Sequence, residues 1–121
     1  GGKMSSEFCR TRARQVLDEL DIAVPPIDVE AVARDLGLKV SYVLRSGGFE
    51  GRLLRERMVI EVNKRHHRHK QRFPISHEIG HYILKHSPVF SAFDDRGIDD
   101  PGKVNERQAN AFASELLMPE S

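Results

Sequence analysis

The chain predicts an α+β domain built around a histidine-bearing helix. Helix-period and strand-period segments are segregated, in the order two helices, three strands, two helices. Six histidines crowd between His66 and His86. A length of 121 residues suits one core that buries roughly two thirds of the unfolded chain's surface.

Ser5 or Ser6 can cap a first helix with Phe8, Ala13, Val16, Leu17 and Leu20 as its core side. Pro25-Pro26 cannot continue it. Asp28 caps a second helix through Val29, Val32, Ala33 and Leu36, and Gly37 is its stop. Leu38, Val40, Tyr42 and Leu44 alternate with Lys39, Ser41 and Val43, which predicts a strand. Gly47-Gly48 predicts a turn. Phe49 to Leu54 and Met58 to Val62 predict a hairpin, although Arg55-Glu56-Arg57 is weak turn chemistry. A helical region follows from about His67 to His86, with Pro74 expected to kink it or to begin a new helix. Ser87 to Gly102 predicts a loop rich in Asp, Gly and Pro. Val104 to Met118 predicts the last helix, closed by Pro119.

Composition excludes several classes of function. Nineteen Lys+Arg against eighteen Asp+Glu leave a net charge of +1, so total charge argues for neither a nucleic-acid binder nor an acidic tail. No apolar run approaches the ~18 residues of a spanning helix, and no signal peptide is visible. One cysteine cannot form an internal disulfide, which favours the cytoplasm. Cys9 itself reads as a small helix residue. Gly1-Gly2-Lys3 ahead of Met4 reads as a cloning scar, so the single domain is expected over 4–121; a cut after Ser121 fits as well as a natural end. The basic run from Lys64 to Arg72 reads as a solvated helix start, with no interleaved aromatic residue for stacking on bases. The first two helices are joined by too long and too Pro-rich a segment for a helix-turn-helix.

The chemistry lies in His77-Glu78-Ile79-Gly80-His81, an HExxH segment. Residues four apart on a helix share a face, so His77 and His81 can aim two imidazoles at one ion. Glu78 projects from the edge of that face, within reach of a water on the ion. Zinc accepts neutral imidazole nitrogens, and a catalytic site adds a third protein ligand and a water. The last helix offers that ligand. Its apolar stripe is Ala109, Phe112, Ala113, Leu116 and Leu117, and one turn back along it stands Glu106. A carboxylate on a core-facing side needs a partner or a metal. Asp94, Asp95, Asp99 and Asp100 compete as ligands, and an exposed first-turn glutamate is the alternative for Glu106. Asn110, one turn further on, can hold a ligating histidine by its other ring nitrogen.

Arg72-Phe73, the HEIGH segment, Glu106-Arg107-Gln108-Ala109-Asn110-Ala111-Phe112-Ala113 and Leu116-Leu117-Met118-Pro119, in that order, resemble the ImmA/IrrE family of zinc metallopeptidases. The resemblance covers about residues 5 to 119. It implies a zincin-like, gluzincin-type fold with zinc on His77, His81 and Glu106 and with Glu78 as the catalytic glutamate. Manganese is an alternative occupant in the cell. It further implies an intracellular peptidase that cleaves a helix-turn-helix repressor of mobile-element, phage, stress or toxin–antitoxin regulation, with no direct nucleic-acid or membrane partner. Two departures stand out. Pro74 occupies a position where the family has Thr, Ser or Ala. The chain stops at the last motif, so a downstream regulatory or substrate-binding part is expected to be missing. Two rival functions are weaker. A non-catalytic zinc-binding partner of a repressor has no need of Glu78 beside an open position. A peptide deformylase needs a cysteine ligand in an upstream motif that Cys9 lacks.

Overall fold

The computed structural model describes residues 5–22, 26–44, 49–65, 67–86 and 101–118. Helix α1 spans Ser6–Glu19 and helix α2 spans Val29–Asp35. Strands β1 (Lys39–Val43), β2 (Gly51–Leu54) and β3 (Val59–Asn63) follow, with a 3₁₀ turn at Arg55–Arg57 between the last two. Helices α3 (Arg68–Ile83) and α4 (Pro101–Leu117) complete the chain. The α+β order expected from the sequence is the order observed. Among the described residues no helix is long and apolar enough to cross a membrane. The Gly47-Gly48 turn, the acids from Asp94 to Asp100, the closing Pro119 and the cloning scar lie outside the described residues.

The caps act as expected. The Ser5 hydroxyl accepts from the Phe8 amide at 3.0 Å, and the Asp28 carboxylate accepts from the Ala31 amide at 3.1 Å. Gly37 ends α2 with φ +85°, a conformation that costs a residue without Cβ little, and the Leu38 amide returns to the Ala33 carbonyl. On α1 the buried stripe is Cys9, Ala13, Val16 and Leu17, while Phe8 is half-exposed. The stripe enters the core one residue later than its apolar pattern suggests, and the lone cysteine fills the place expected for the phenylalanine.

The sheet order is β1-β3-β2. β3 pairs antiparallel with β2, the expected hairpin, and parallel with β1. The central strand therefore carries the fully buried Ile60 and Val62. The hairpin closes without a turn glycine because Met58 takes the left-handed conformation (φ 55°, ψ 47°) and packs partly buried against the core. The β1 stripe sinks only at its start: Leu38 is buried, but Tyr42 and Leu44 are exposed, and the Tyr42 hydroxyl donates to Glu30 of α2. Two boundaries differ from expectation. α4 begins at Pro101, because a proline is well suited to a first helical turn, where its missing N–H has no partner to lose. α3 runs through Pro74 without starting a new helix, held by its packing between β2 and α4.

α4 packs extensively against both α3 and α1. Of the predicted stripe, Ala109, Phe112, Ala113 and Leu116 are fully buried and Leu117 is partly buried. Gly80 sets the spacing. A Cβ there would meet Phe112 Cδ1 at 3.2 Å and the Ala109 Cα and carbonyl oxygen at 3.3 Å. Two of those three atoms are backbone and cannot rotate aside. Gly80→Val should overpack the contact and lower stability by roughly 2 kcal/mol, measured as a fall in the urea midpoint with unchanged m.

Candidate metal centre

α3 and α4 cross where His77 and His81 of one helix face Glu106 and Asn110 of the other. The His77 Nε2 and His81 Nε2 atoms are 3.1 Å apart. The Glu106 carboxylate spans both, with one oxygen 2.8 Å from His77 Nε2 and the other 3.0 Å from His81 Nε2. Glu106 lies in the second turn of α4, and its side chain is 58% exposed. It faces a cleft and not the core, which corrects the sequence expectation. A cleft-facing carboxylate keeps partial hydration while still reaching both rings.

Asn110 sits where the sequence places it, its Oδ1 2.7 Å from His77 Nδ1. An amide oxygen only accepts, so His77 donates from Nδ1, which turns Nε2 toward Glu106 and His81. His81 is pushed down to about 4, chiefly by burial and then by the neighbouring His77, against the opposing pull of Glu106. It is a neutral ring at pH 7. Ligand atoms of His77, Glu78 and His81 all lie within 4.8 Å of one another. The donor set fits a zinc-type ion. Two ring nitrogens on tetrahedral zinc stand about 3.3 Å apart at ordinary Zn–N lengths, close to the spacing found, and a carboxylate borders both.

Glu78 is buried at 7% exposure. Burial is the main reason its carboxyl is pushed up to about 7; the Glu106 charge adds to this, and a hydrogen bond from the Leu53 amide opposes it. The Leu53 amide is available for a reason that lies in the ladder. The Asn63 amide donates to Glu50 O at 3.0 Å. Antiparallel pairs alternate, so Gly51 and Leu53 turn their peptide groups away from β3. Among the described residues no strand pairs with the outer side of β2, which lies beside Glu78. A cavity of about 430 Å³ lies on one side of the site, lined by Leu53, Leu54 and Arg55, and one of about 730 Å³ on the other, lined by Gly51, Arg52 and Phe73. Both share Glu78, His81 and Glu106.

Four functional neighbours were not legible as such in the sequence. The Arg55 guanidinium donates to His81 O at 2.7 Å and His86 O at 3.2 Å, clasping the end of α3. His86 and Gln108 are buried, with His86 Nδ1 2.9 Å from His81 Nδ1 and His86 Nε2 2.7 Å from Gln108 Oε1. Leu53 acts only through its backbone. Gln108 left one signal, a polar side chain four residues before Phe112 on the apolar stripe. Tyr82 packs partly buried against the core, with Arg55 5.3 Å from its ring centre. Of the basic run, Lys64, Arg65, His67 and Lys70 are exposed, whereas Arg72 donates to Ile27 O at 2.7 Å and ties the approach to α2 onto α3.

Residues 33–121 match the family model described as IrrE N-terminal-like domain, Peptidase_M78. No curated protein matches the chain. The matched span takes in all three strands, α3 and α4, and so every residue lining the site. The chain belongs to the IrrE N-terminal-like family of metallopeptidases.

Proposed function

We propose that the protein is a zinc-dependent endopeptidase in which His77, His81 and Glu106 hold the ion, Asn110 steadies His77, and Glu78 is the general base. The observation that carries this reading is the meeting of two imidazole Nε2 atoms and one carboxylate beside a buried glutamate, in a cleft open on both sides. Zinc bound there supplies a Lewis acid for the scissile carbonyl and acidifies a water molecule. Manganese in the cell is compatible with the same oxygen and nitrogen donors.

Glu78 is suited to accept the proton of the attacking water, because its carboxylate stands beside the two rings and Glu106 at the wall of both cavities. The Leu53 amide fixes the carboxylate against rotation. As water adds to the carbonyl carbon the C–N bond breaks; one product keeps the new carboxyl, and the amine leaves with the proton that Glu78 passes on. An extended substrate can pair with the outward N–H and C=O of Gly51 and with the Leu53 carbonyl, which line the cleft on both sides of the site. The resemblance of the chain's motifs to the ImmA/IrrE family favours a helix-turn-helix repressor as substrate, cleaved in the cytoplasm.

Glu78→Gln should retain zinc and lose cleavage by a factor of 10² or more, followed by mass spectrometry of the helix-turn-helix repressor encoded nearest the gene. A Gln variant that cuts at the parental rate removes Glu78 from the mechanism. Glu106→Ala should lose zinc, read by chelator competition on protein whose fold is checked by circular dichroism; full occupancy there would move the third ligand elsewhere.

The raised Glu78 carboxyl gives a pH signature in metal-free protein. The unfolded acid ionises near 4.5 and the folded one near 7. Between these values the folded state holds the extra proton, so the Glu78 share of stability is fully present below 4.5 and lost as pH rises through 7. The stability of Glu78→Gln relative to the parent should therefore climb by on the order of 2–3 kcal/mol from pH 4.5 to 7 and level off above. His81, pushed down to about 4, has the opposite slope, but it is common to both proteins. A flat difference across that range would place Glu78 in an ordinary hydrated setting.

A further inference from the structure

Gln108, His86 and His81 form a line of hydrogen bonds ending at the cleft. Gln108 Oε1 lies 2.7 Å from His86 Nε2, and His86 Nδ1 lies 2.9 Å from His81 Nδ1. The amide oxygen can only accept, so His86 donates from Nε2. A neutral imidazole has one N–H, which leaves His86 Nδ1 as a bare acceptor. His81 must then donate from Nδ1, and its Nε2 lone pair faces His77 Nε2 at 3.1 Å and a Glu106 oxygen at 3.0 Å, a meeting of acceptors that a cation, or in metal-free protein a proton shared with His77 and Glu106, holds together. Reversing the Gln108 amide would reverse every proton in the line. His81 would then carry its hydrogen on Nε2, where no cation can bind.

We propose that His86 and Gln108 are positioning residues that lock His81 in the Nδ1-protonated tautomer and so aim its Nε2 lone pair at the metal site. The backbone enforces the alignment. α3 ends in a left-handed residue, Lys85 at φ 59°, and the His86 amide turns back to His81 O at 3.0 Å. The same two residues are thus joined through the main chain and through their rings. Arg55 reaches across from the hairpin and bonds the carbonyls of both. Gln108 comes from α4, two residues after Glu106, so the helix that brings the carboxylate also sets the tautomer. The proposal rests on His81 being a metal ligand, as put forward above.

The test uses ¹⁵N-labelled metal-free protein and long-range ¹H–¹⁵N spectra of the imidazoles, together with zinc affinity by chelator competition. The parent should show His81 protonated at Nδ1. Gln108→Met and His86→Leu should give mixed His81 tautomers and bind zinc roughly 10- to 100-fold more weakly. His86→Gln, which keeps an acceptor near His81, should recover most of that loss. Thermal unfolding of the same metal-free proteins separates loss of fold from loss of orientation. A parent with the His81 proton on Nε2, or a Gln108→Met protein with unmixed tautomer and unchanged affinity, overturns the proposal, and the first measurement needs no variant to fold. If the parent binds no zinc at all, the ligand assignment fails, and the metal-free spectra still decide the tautomer lock.

Discussion

The close approach of α3 and α4 at Gly80 is the constraint on which the site depends. Histidines one turn apart on a helix are common; what makes this pair useful is a second helix near enough for one carboxylate to touch both rings. With a Cβ at position 80 the Ala109 backbone and the Phe112 ring would have to give by a few tenths of an ångström. The Glu106 and Asn110 contacts, at 2.7 to 3.0 Å, leave no slack for that. The apolar stripe of α4 holds the pair together from behind, and α1 backs α4 in turn. Metal-site geometry and core packing are therefore one interaction seen from two sides.

Burial sets the protonation states that such chemistry requires. The same low-dielectric surroundings push Glu78 up to about 7 and His81 down to about 4, keeping the imidazole neutral and the carboxyl poised. Buried polar groups are costly unless they are paired. Each here has a partner: the Leu53 amide for Glu78, Asn110 for His77, and His86 with Gln108 for His81. Among the described residues no buried side-chain nitrogen or oxygen lacks a hydrogen bond.

The sheet contributes through its edge. With β3 in the centre, no described strand pairs with the outer side of β2, and the ladder phase turns the peptide groups of Gly51 and Leu53 outward beside Glu78. The hairpin then continues into Arg55, whose guanidinium closes the C-terminal end of α3. One hairpin so delivers a backbone donor to Glu78 and a side chain to the helix that carries it.

The sequence by itself determined what is local or periodic. Ser5 and Asp28 announced their caps, Gly37 its stop, and the α4 stripe its buried face. HExxH, with spacing matched to the helix repeat, announced two histidines and a glutamate on one helix, and the motif around Glu106 and Asn110 pointed to its partner helix. Tertiary structure alone decided what joins distant residues. The strand order, the outward turn of Leu53, the exposure of Glu106 to a cleft, the clasp of Arg55 on His81 and the line from Gln108 through His86 all link positions 22 to 31 residues apart or depend on which strand stands at the edge. No helical or strand period extends that far, because period records only which face a residue takes. What the face meets is decided when the elements pack.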